Sequence, residues 1–312
     1  MQIRALAVGN MQTKNNVFLA PMAGYTDNSL RSLQLKLGAG LVFTELVSAK
    51  GLMYGGNGSK ELLFSGKDVD NTAVQLFGAD AYFMRSACES EHLKLFKIVD
   101  INMGCPVPKV FKNGEGSALL LDIKKAERII KECVKSGKTI TLKIRTGQKR
   151  GDNVATDFAK MAEDAGASLI TIHGRVREDY YSGEPDFNAI ASAKRAVKIP
   201  VIANGGIFTE KDAELMIERT GADGVMLARG AIADPFLVAK LTGTKTSLTL
   251  KDYIIKHLVL LSENIGDERA PVEFRKFVNY YFKGAVGVKQ LKNELMSATN
   301  VQEIIELINK NL

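Results

Sequence analysis

Cysteine and histidine are scarce, with three of each in 312 residues. Cys88, Cys105 and Cys133 form no C-x-x-C pair. That leaves a disulfide scaffold, a zinc ribbon and a cysteine-ligated cluster without support. Long apolar runs are lacking too. The longest stretches, such as 169–173, are strand-sized, far short of the roughly 18 residues a membrane span needs. The first ten residues hold one arginine and no apolar core, so no secretory signal is expected. The excess of one charge sign is small: 42 Lys and Arg against 35 Asp and Glu, a net +7. Such an excess suits a polyanionic partner without demonstrating one. Hydrophobic residues at 46%, charged residues at 25% and a mean hydropathy of −0.03 exclude a disordered or low-complexity chain. The expectation is a reduced, cytoplasmic protein. Its length suits one large barrel or two domains of ordinary size.

What is present is a series of short apolar, β-branched runs, each leading into polar or glycine-rich residues and then a helical pattern. The eight runs are 17–22, 41–47, 72–77, 98–103, 139–145, 169–173, 200–204 and 224–228. Their spacing leaves room for a crossover helix each time, and near-continuous apolar strands are what a helix-covered parallel sheet requires. Residues 157–165 and 211–219 carry apolar residues at helical spacing. Thr209 is the expected N-cap of the second and Gly221 its terminating glycine. No G-x-G-x-x-G follows the first run, and an unbroken β-α series favours a (β/α)8 TIM barrel over an open doubly wound sheet. After residue 243 the strand pattern stops. Segments 252–264, 271–283, 289–297 and 301–309 all read as helices, so a barrel over 1–243 and a helical domain over 244–312 are expected.

In such a barrel the chemistry sits at the C-terminal strand ends. Those ends are Pro21-Met22-Ala23, Glu45, Gln75, Asn102 through Pro106, Lys143 and Arg145, His173 through Arg175, Asn204-Gly205-Gly206 and Ala228-Arg229-Gly230. Two successive glycine-containing loops, 204–206 and 228–230, let backbone N–H groups approach an anion where barrels commonly bind phosphate. Cys105 sits in the expected mouth, whereas Cys88 and Cys133 fall in helical segments and read as buried small hydrophobes. One histidine in the mouth, His173, and no acidic cluster there make a catalytic metal unexpected. Lys109, Lys112, Lys143, Arg145, Lys149, Arg150, Arg175, Arg177 and Arg229 follow the strand ends. That is more positive charge than one ligand phosphate needs, and it points to a larger polyanion.

These residues resemble a known family. The segments 20–27 (APMAGYTD), 102–106 (NMGCP), 143–147 (KIRTG), 172–175 (IHGR), 204–206 (NGG) and 228–230 (ARG) are similar to those of the tRNA-dihydrouridine synthases. The likeness continues through Phe274-Arg275-Lys276 and 281–284 in the tail, and the bacterial B-type branch is the most similar. The resemblance implies an FMN-dependent, NADPH-using enzyme that reduces the C5–C6 bond of selected uridines in tRNA. It implies that Pro21, Met22, Ala23, Gln75, Lys143, His173, Asn204, Gly205, Gly206, Ala228 and Arg229 hold FMN. Cys105 would be the proton donor. Asn102 would face the uracil, and Arg145, Arg175 and Arg177 would contact the RNA. The implied partner is tRNA, with ribosomal RNA left open, and the implied state is a monomer without metal or membrane. Gly206, Phe277 and Tyr280 depart from residues common in that family, which bears on RNA position more than on chemistry. The competing expectations are a small-molecule flavin reductase of the dihydroorotate or dihydropyrimidine type, and an RNA-binding protein without catalysis.

Overall fold

A computed structural model describes residues 1–312, the side chain of residue 57 excepted. Ten strands are present: β1 (Ala7–Val8), β2 (Met11–Gln12), β3 (Val17–Leu19), β4 (Leu41–Ser48), β5 (Thr72–Phe77), β6 (Ile98–Met103), β7 (Thr139–Arg145), β8 (Leu169–His173), β9 (Val201–Asn204) and β10 (Gly224–Leu227). From β3 to β10 they close a parallel barrel, with β10 pairing back onto β3. The sequence runs map onto these eight, and β5, β6, β7 and β8 have the expected bounds. β3 stops earlier than its run. Pro21 has no N–H to offer a ladder, and Met22 turns back on itself, its N–H and C=O both bonding Thr26.

The hairpin of β1 and β2 went unread in the sequence. It turns through Gly9, at φ 58, and Asn10. Its Leu6 and Val8 belong to the apolar cluster that fills the barrel, with Phe18, Phe43, Ile98, Leu169, Ile202 and Met226. A larger cluster packs the surrounding helices against the outer face of the strands. Thr209 caps helix Glu210–Thr220 through a capping box with Asp212, and Gly221 ends it at φ 66.

Four helices follow the barrel: Leu250–Ile265, Ala270–Tyr281, Lys289–Ser297 and Val301–Asn311. The first is capped by a Thr249–Asp252 box after the coil of 243–249. Their apolar faces are not closed among themselves. Phe274, Phe277, Leu258 and Leu261 share a cluster with Leu30 and Leu33 of helix Asn28–Lys36, with Leu37 that ends it and with Ile232. Polar groups cross the same seam. Gln34 Nε2 donates to Tyr253 Oη at 3.0 Å and to the Pro235 carbonyl at 3.1 Å. His257 and Tyr281 share a bond of 2.7 Å, and His257 Nε2 lies 4.0 Å from Asp27 Oδ1. Among the described residues no helix is long and apolar enough to cross a membrane.

The shared cluster sets an expectation for truncation. A fragment ending at residue 243 exposes Leu30, Leu33, Leu37 and Ile232 as one apolar patch, and patches of that kind drive association. Size-exclusion chromatography should show it aggregated. A monodisperse, folded fragment would show that the barrel needs no cover from the tail.

Candidate active site

The loops after the barrel strands enclose a cavity of about 680 Å3. Pro21, Met22, Ala23, Asn102, Cys105, Lys143, Arg145, His173, Arg175, Asn204, Gly205, Gly206, Ala228 and Arg229 all line it. Gln75 and Arg177 do not. Gln75 is fully buried inside the barrel, and Arg177 lays its guanidinium over the Phe111 ring at 3.8 Å.

A chain of hydrogen bonds builds the site from below. Asp100, on β6, is buried and accepts from Thr141 Oγ1 at 2.6 Å and from Gln75 Nε2 at 2.7 Å. Burial pushes its carboxyl up to about 6, against the opposing effect of those two donors and of Lys143. Gln75 Oε1 then accepts from Asn102 Nδ2 at 2.8 Å. Asn102 Oδ1 accepts from the backbone N–H groups of Gly104 at 3.2 Å and Cys105 at 2.9 Å. The Cys105 carbonyl in turn accepts from Ser117 Oγ at 2.8 Å. The Asn102 side chain is thus engaged with its own loop as well as exposed to the cavity.

Burial raises the Cys105 thiol above its ordinary value, outweighing the Val107 N–H and the charges of Arg145 and Lys143. The thiol therefore keeps its proton. Lys143 donates to Asn204 Oδ1 at 3.0 Å, and Asn204 Nδ2 donates to the Met226 carbonyl at 2.8 Å. Burial, helped by the neighbouring Arg145 charge, pulls Lys143 down to about 8. His173 is held well below its ordinary value by burial and by the surrounding cations Arg145, Lys143, Arg175 and Arg229. Its ring is neutral. Arg175 Nη1, 3.2 Å away, can only donate, so Nε2 accepts and the ring proton sits on Nδ1. Opposite stands the glycine pair. A Cβ on Gly205, at φ 117, would fall 2.8 Å from His173 Cδ2 and 3.1 Å from Arg175 Nη1.

Two of the arginines expected to contact the RNA line the cavity and also bond carbonyls of the loops around it. Arg145 Nε donates to the Gly104 carbonyl at 2.8 Å, and its Nη1 donates to those of Val176 at 3.0 Å and Tyr180 at 2.8 Å. Arg175 donates from Nε to Ser182 O at 3.0 Å and from Nη2 to Gly183 O at 2.6 Å. Both are buried, as guanidiniums surrounded by carbonyls can be. The basic rim is accordingly thinner than its nine-residue expectation: Lys109, Lys112, Lys149 and Arg150 are exposed, but Lys143, Arg145 and Arg175 belong to the interior. The cavity also has aromatic residues that were not among the expected site residues, namely Tyr25, Phe77, Tyr181, Phe208 and, from the tail, Tyr280. Asp100 was missed as well, although an aspartate inside the run Ile98–Met103 is itself a signal. Among the described residues that line the cavity there is no carboxylate, and nowhere among them do three metal-binding side chains cluster.

The sequence profile of the dihydrouridine synthase family matches residues 18–312. The chain belongs to that family. It is 34% identical to tRNA-dihydrouridine synthase B of Pseudomonas putida over 308 residues, covering 96% of this chain and 91% of the relative. It is 35% identical to tRNA-dihydrouridine synthase B of Vibrio parahaemolyticus over 288 residues, covering 89% of each chain. Histamine dehydrogenase from Rhizobium shares the fold, with a TM-score of 0.59 and 13% identity over 82% of this chain and 50% of that one. Family membership makes the protein an oxidoreductase acting on a CH–CH bond.

The thiol's environment sets an expectation. Iodoacetamide attacks the thiolate, so Cys105 at pH 8 should react more slowly than a free thiol. Cys88 and Cys133, fully buried, serve as internal controls when the sites are mapped by mass spectrometry. Rapid alkylation of Cys105 persisting at pH 6 would reveal a thiolate and overturn this reading.

Proposed function

We propose that the protein is an FMN-dependent tRNA-dihydrouridine synthase that takes its reducing equivalents from NADPH and protonates uracil C5 from Cys105. The observation that carries this reading is the charge of the cavity. Lys143, Arg145, Arg175 and Arg229 line it with no carboxylate among the described lining residues. Such a wall suits a ligand that brings a phosphate and an electron-rich ring. The volume falls inside the roughly 300–1,000 Å3 of ordinary cofactor sites. The Gly205-Gly206 pair supplies the open backbone that a phosphate group needs, in space a Cβ would fill.

FMN fits this donor set. Pro21, Met22 and Ala23 would form one wall for it, and Gly205, Gly206, Ala228 and Arg229 the phosphate end. Lys143 and His173 would face it from the strands. Gln75 would act at one remove, through Asn102. When bound, the flavin supplies the hydride that adds to C6 of a uracil. The chain's own groups do the rest. Lys143 places a positive charge where negative charge accumulates during reduction. His173 donates through Nδ1–H as a neutral ring, so it adds hydrogen bonding without another charge. Hydride at C6 leaves the electron pair at C5 and O4. The Cys105 Sγ–H bond breaks, its proton goes to C5, and the thiolate recovers a proton from solvent. Asn102 holds the backbone that aims this sulfur and presents the rest of its amide to the base edge. A uridine stacked within a folded RNA cannot reach the cavity, so the nucleotide must be flipped out of its stack. The names of the relatives support tRNA as the RNA in question.

The deciding experiment measures dihydrouridine by mass spectrometry of nucleosides after incubation with NADPH. Unmodified tRNA, unmodified ribosomal RNA and free uridine are supplied in separate reactions. Product in tRNA alone is expected. Product from free uridine alone would make the protein a small-molecule reductase, and product only in ribosomal RNA would change the partner. Cys105→Ala should bind flavin and bleach with NADPH yet lose at least ~100-fold in dihydrouridine formation, the scale of a general acid. Undiminished turnover in that variant would remove Cys105 as the acid. A pH dependence accompanies it. Lys143 is charged below about 8 and neutral above. Turnover should therefore decline at or above that pH, and Lys143→Arg, which stays protonated, should move the decline upward.

A further inference from the structure

Four segments distant in sequence bring rings and cations together at one edge of the cavity. Tyr181 comes from the loop after β8, Phe208 from the loop after β9, Arg229 from the end of β10, and Lys283 follows helix Ala270–Tyr281 of the tail. The Arg229 guanidinium lies 4.8 Å from the Tyr181 ring centre and 5.8 Å from that of Phe208. Lys283 Nζ lies 5.7 Å from the Phe208 ring. Tyr181 and Phe208 both line the cavity, yet they are 53% and 39% exposed. Among the described residues neither Arg229 nor Lys283 has a carboxylate within 4.0 Å, whereas Arg150, a few residues from the same loop in space, is paired with Asp179.

The rings are held as if to be met by something. Buried Arg145 bonds the Tyr180 carbonyl and buried Arg175 bonds those of Ser182 and Gly183, so the backbone on both sides of Tyr181 is clamped. The Phe208 N–H donates to Asp212 Oδ2 at 2.9 Å, which fixes that residue at the head of helix Glu210–Thr220. Two inward-facing arginines spent on one loop leave an aromatic ring in solvent. Folding alone gains little from that arrangement.

We propose that Tyr181 and Phe208 are stacking platforms for the unpaired nucleotides that flank the uridine in the cavity, with Lys283 holding a phosphate between them and Arg229, assigned above to the flavin phosphate, bracing the Tyr181 loop through its carbonyl. The inference rests on the proposal that RNA is the substrate. A uridine that leaves its stack strands its neighbours, and an aromatic face restores the stacking they lose. Every base has such a face, so this surface accepts any flanking base. Choice among uridines must then come from the shape of the RNA rather than from the adjacent letters. Lys283 gives the tail a direct share in the surface, in addition to its cover over the barrel.

The test uses the flavin-loaded, full-length protein and a seven-nucleotide single-stranded RNA with 2-aminopurine on each side of a central uridine. Stacking quenches 2-aminopurine fluorescence. The wild-type protein should quench it. Tyr181→Leu and Phe208→Leu, which keep apolar bulk, should each lose quenching and weaken binding about 5- to 100-fold, as loss of a base–aromatic stack does. Flavin content, read from absorbance, confirms that the variants are folded. Unchanged quenching in both variants, or none in the wild type, overturns the proposal. So does a raised KM for NADPH with RNA affinity intact, which assigns the surface to the reductant. Dihydrouridine formation in tRNA by the wild type is measured alongside. If product forms but the variants bind RNA normally, only the stacking inference fails. If the wild type makes no product in any RNA, the functional reading falls and this inference falls with it.

Discussion

A single buried carboxylate dictates the direction of the site's hydrogen bonds. Asp100 sits inside the barrel where water does not reach, and an unsatisfied charge there is costly. It takes donors from Thr141 and Gln75, which leaves the Gln75 amide only its oxygen for anything above. That oxygen fixes which end of Asn102 points down, and the other end collects the N–H groups of Gly104 and Cys105. Each amide has one permitted orientation because the group beneath it has already chosen. The sulfur stands where it does because a charge several residues away must be satisfied.

The cavity above that chain has an electrostatic character of its own. Cations surround it, and they act on one another as well as on any ligand. Burial first and the neighbouring cations second weaken the hold of Lys143 on its proton and keep His173 neutral. A positively charged histidine here would add to an already crowded field, so the ring contributes directionality alone. Buried guanidiniums answer the same field by turning to carbonyls, which is how Arg145 and Arg175 come to brace loop 176–183.

Much of this was legible in the sequence. The eight strands are apolar, evenly spaced and punctuated by glycine or polar residues, and burial on both faces makes such runs plain. Cys105, Lys143, His173 and the 204–206 glycines could be placed because strand ends converge in this architecture whatever the loops do. Direction of reach was not legible. An arginine at or just past a strand end looks the same in sequence whether it meets solvent or folds back onto carbonyls, as Arg145 and Arg175 do while lining the cavity. Gln75 and Arg177 lie off the cavity wall for a related cause: strand register decides depth, and a ring such as Phe111 can divert a side chain. The β1–β2 hairpin is too short for periodicity to show. The tail's apolar faces were readable as helices, but their partner, Leu30, Leu33 and Leu37, lies more than two hundred residues earlier in the chain.

That separation has a consequence for how the protein is made. Helix Asn28–Lys36 emerges from a ribosome more than two hundred residues before the helices it packs against, and β3 waits for β10 before the barrel can close. Even then one face of the early helix has nothing to rest on until helices beyond residue 250 have been synthesised. At about 5–20 residues per second that interval is on the order of 10–40 s. For that time a row of leucines stays uncovered on a nascent chain. The polypeptide thus carries, as a by-product of packing helices beyond residue 250 onto helix Asn28–Lys36, a timed exposure that a chaperone surveying new chains is suited to meet.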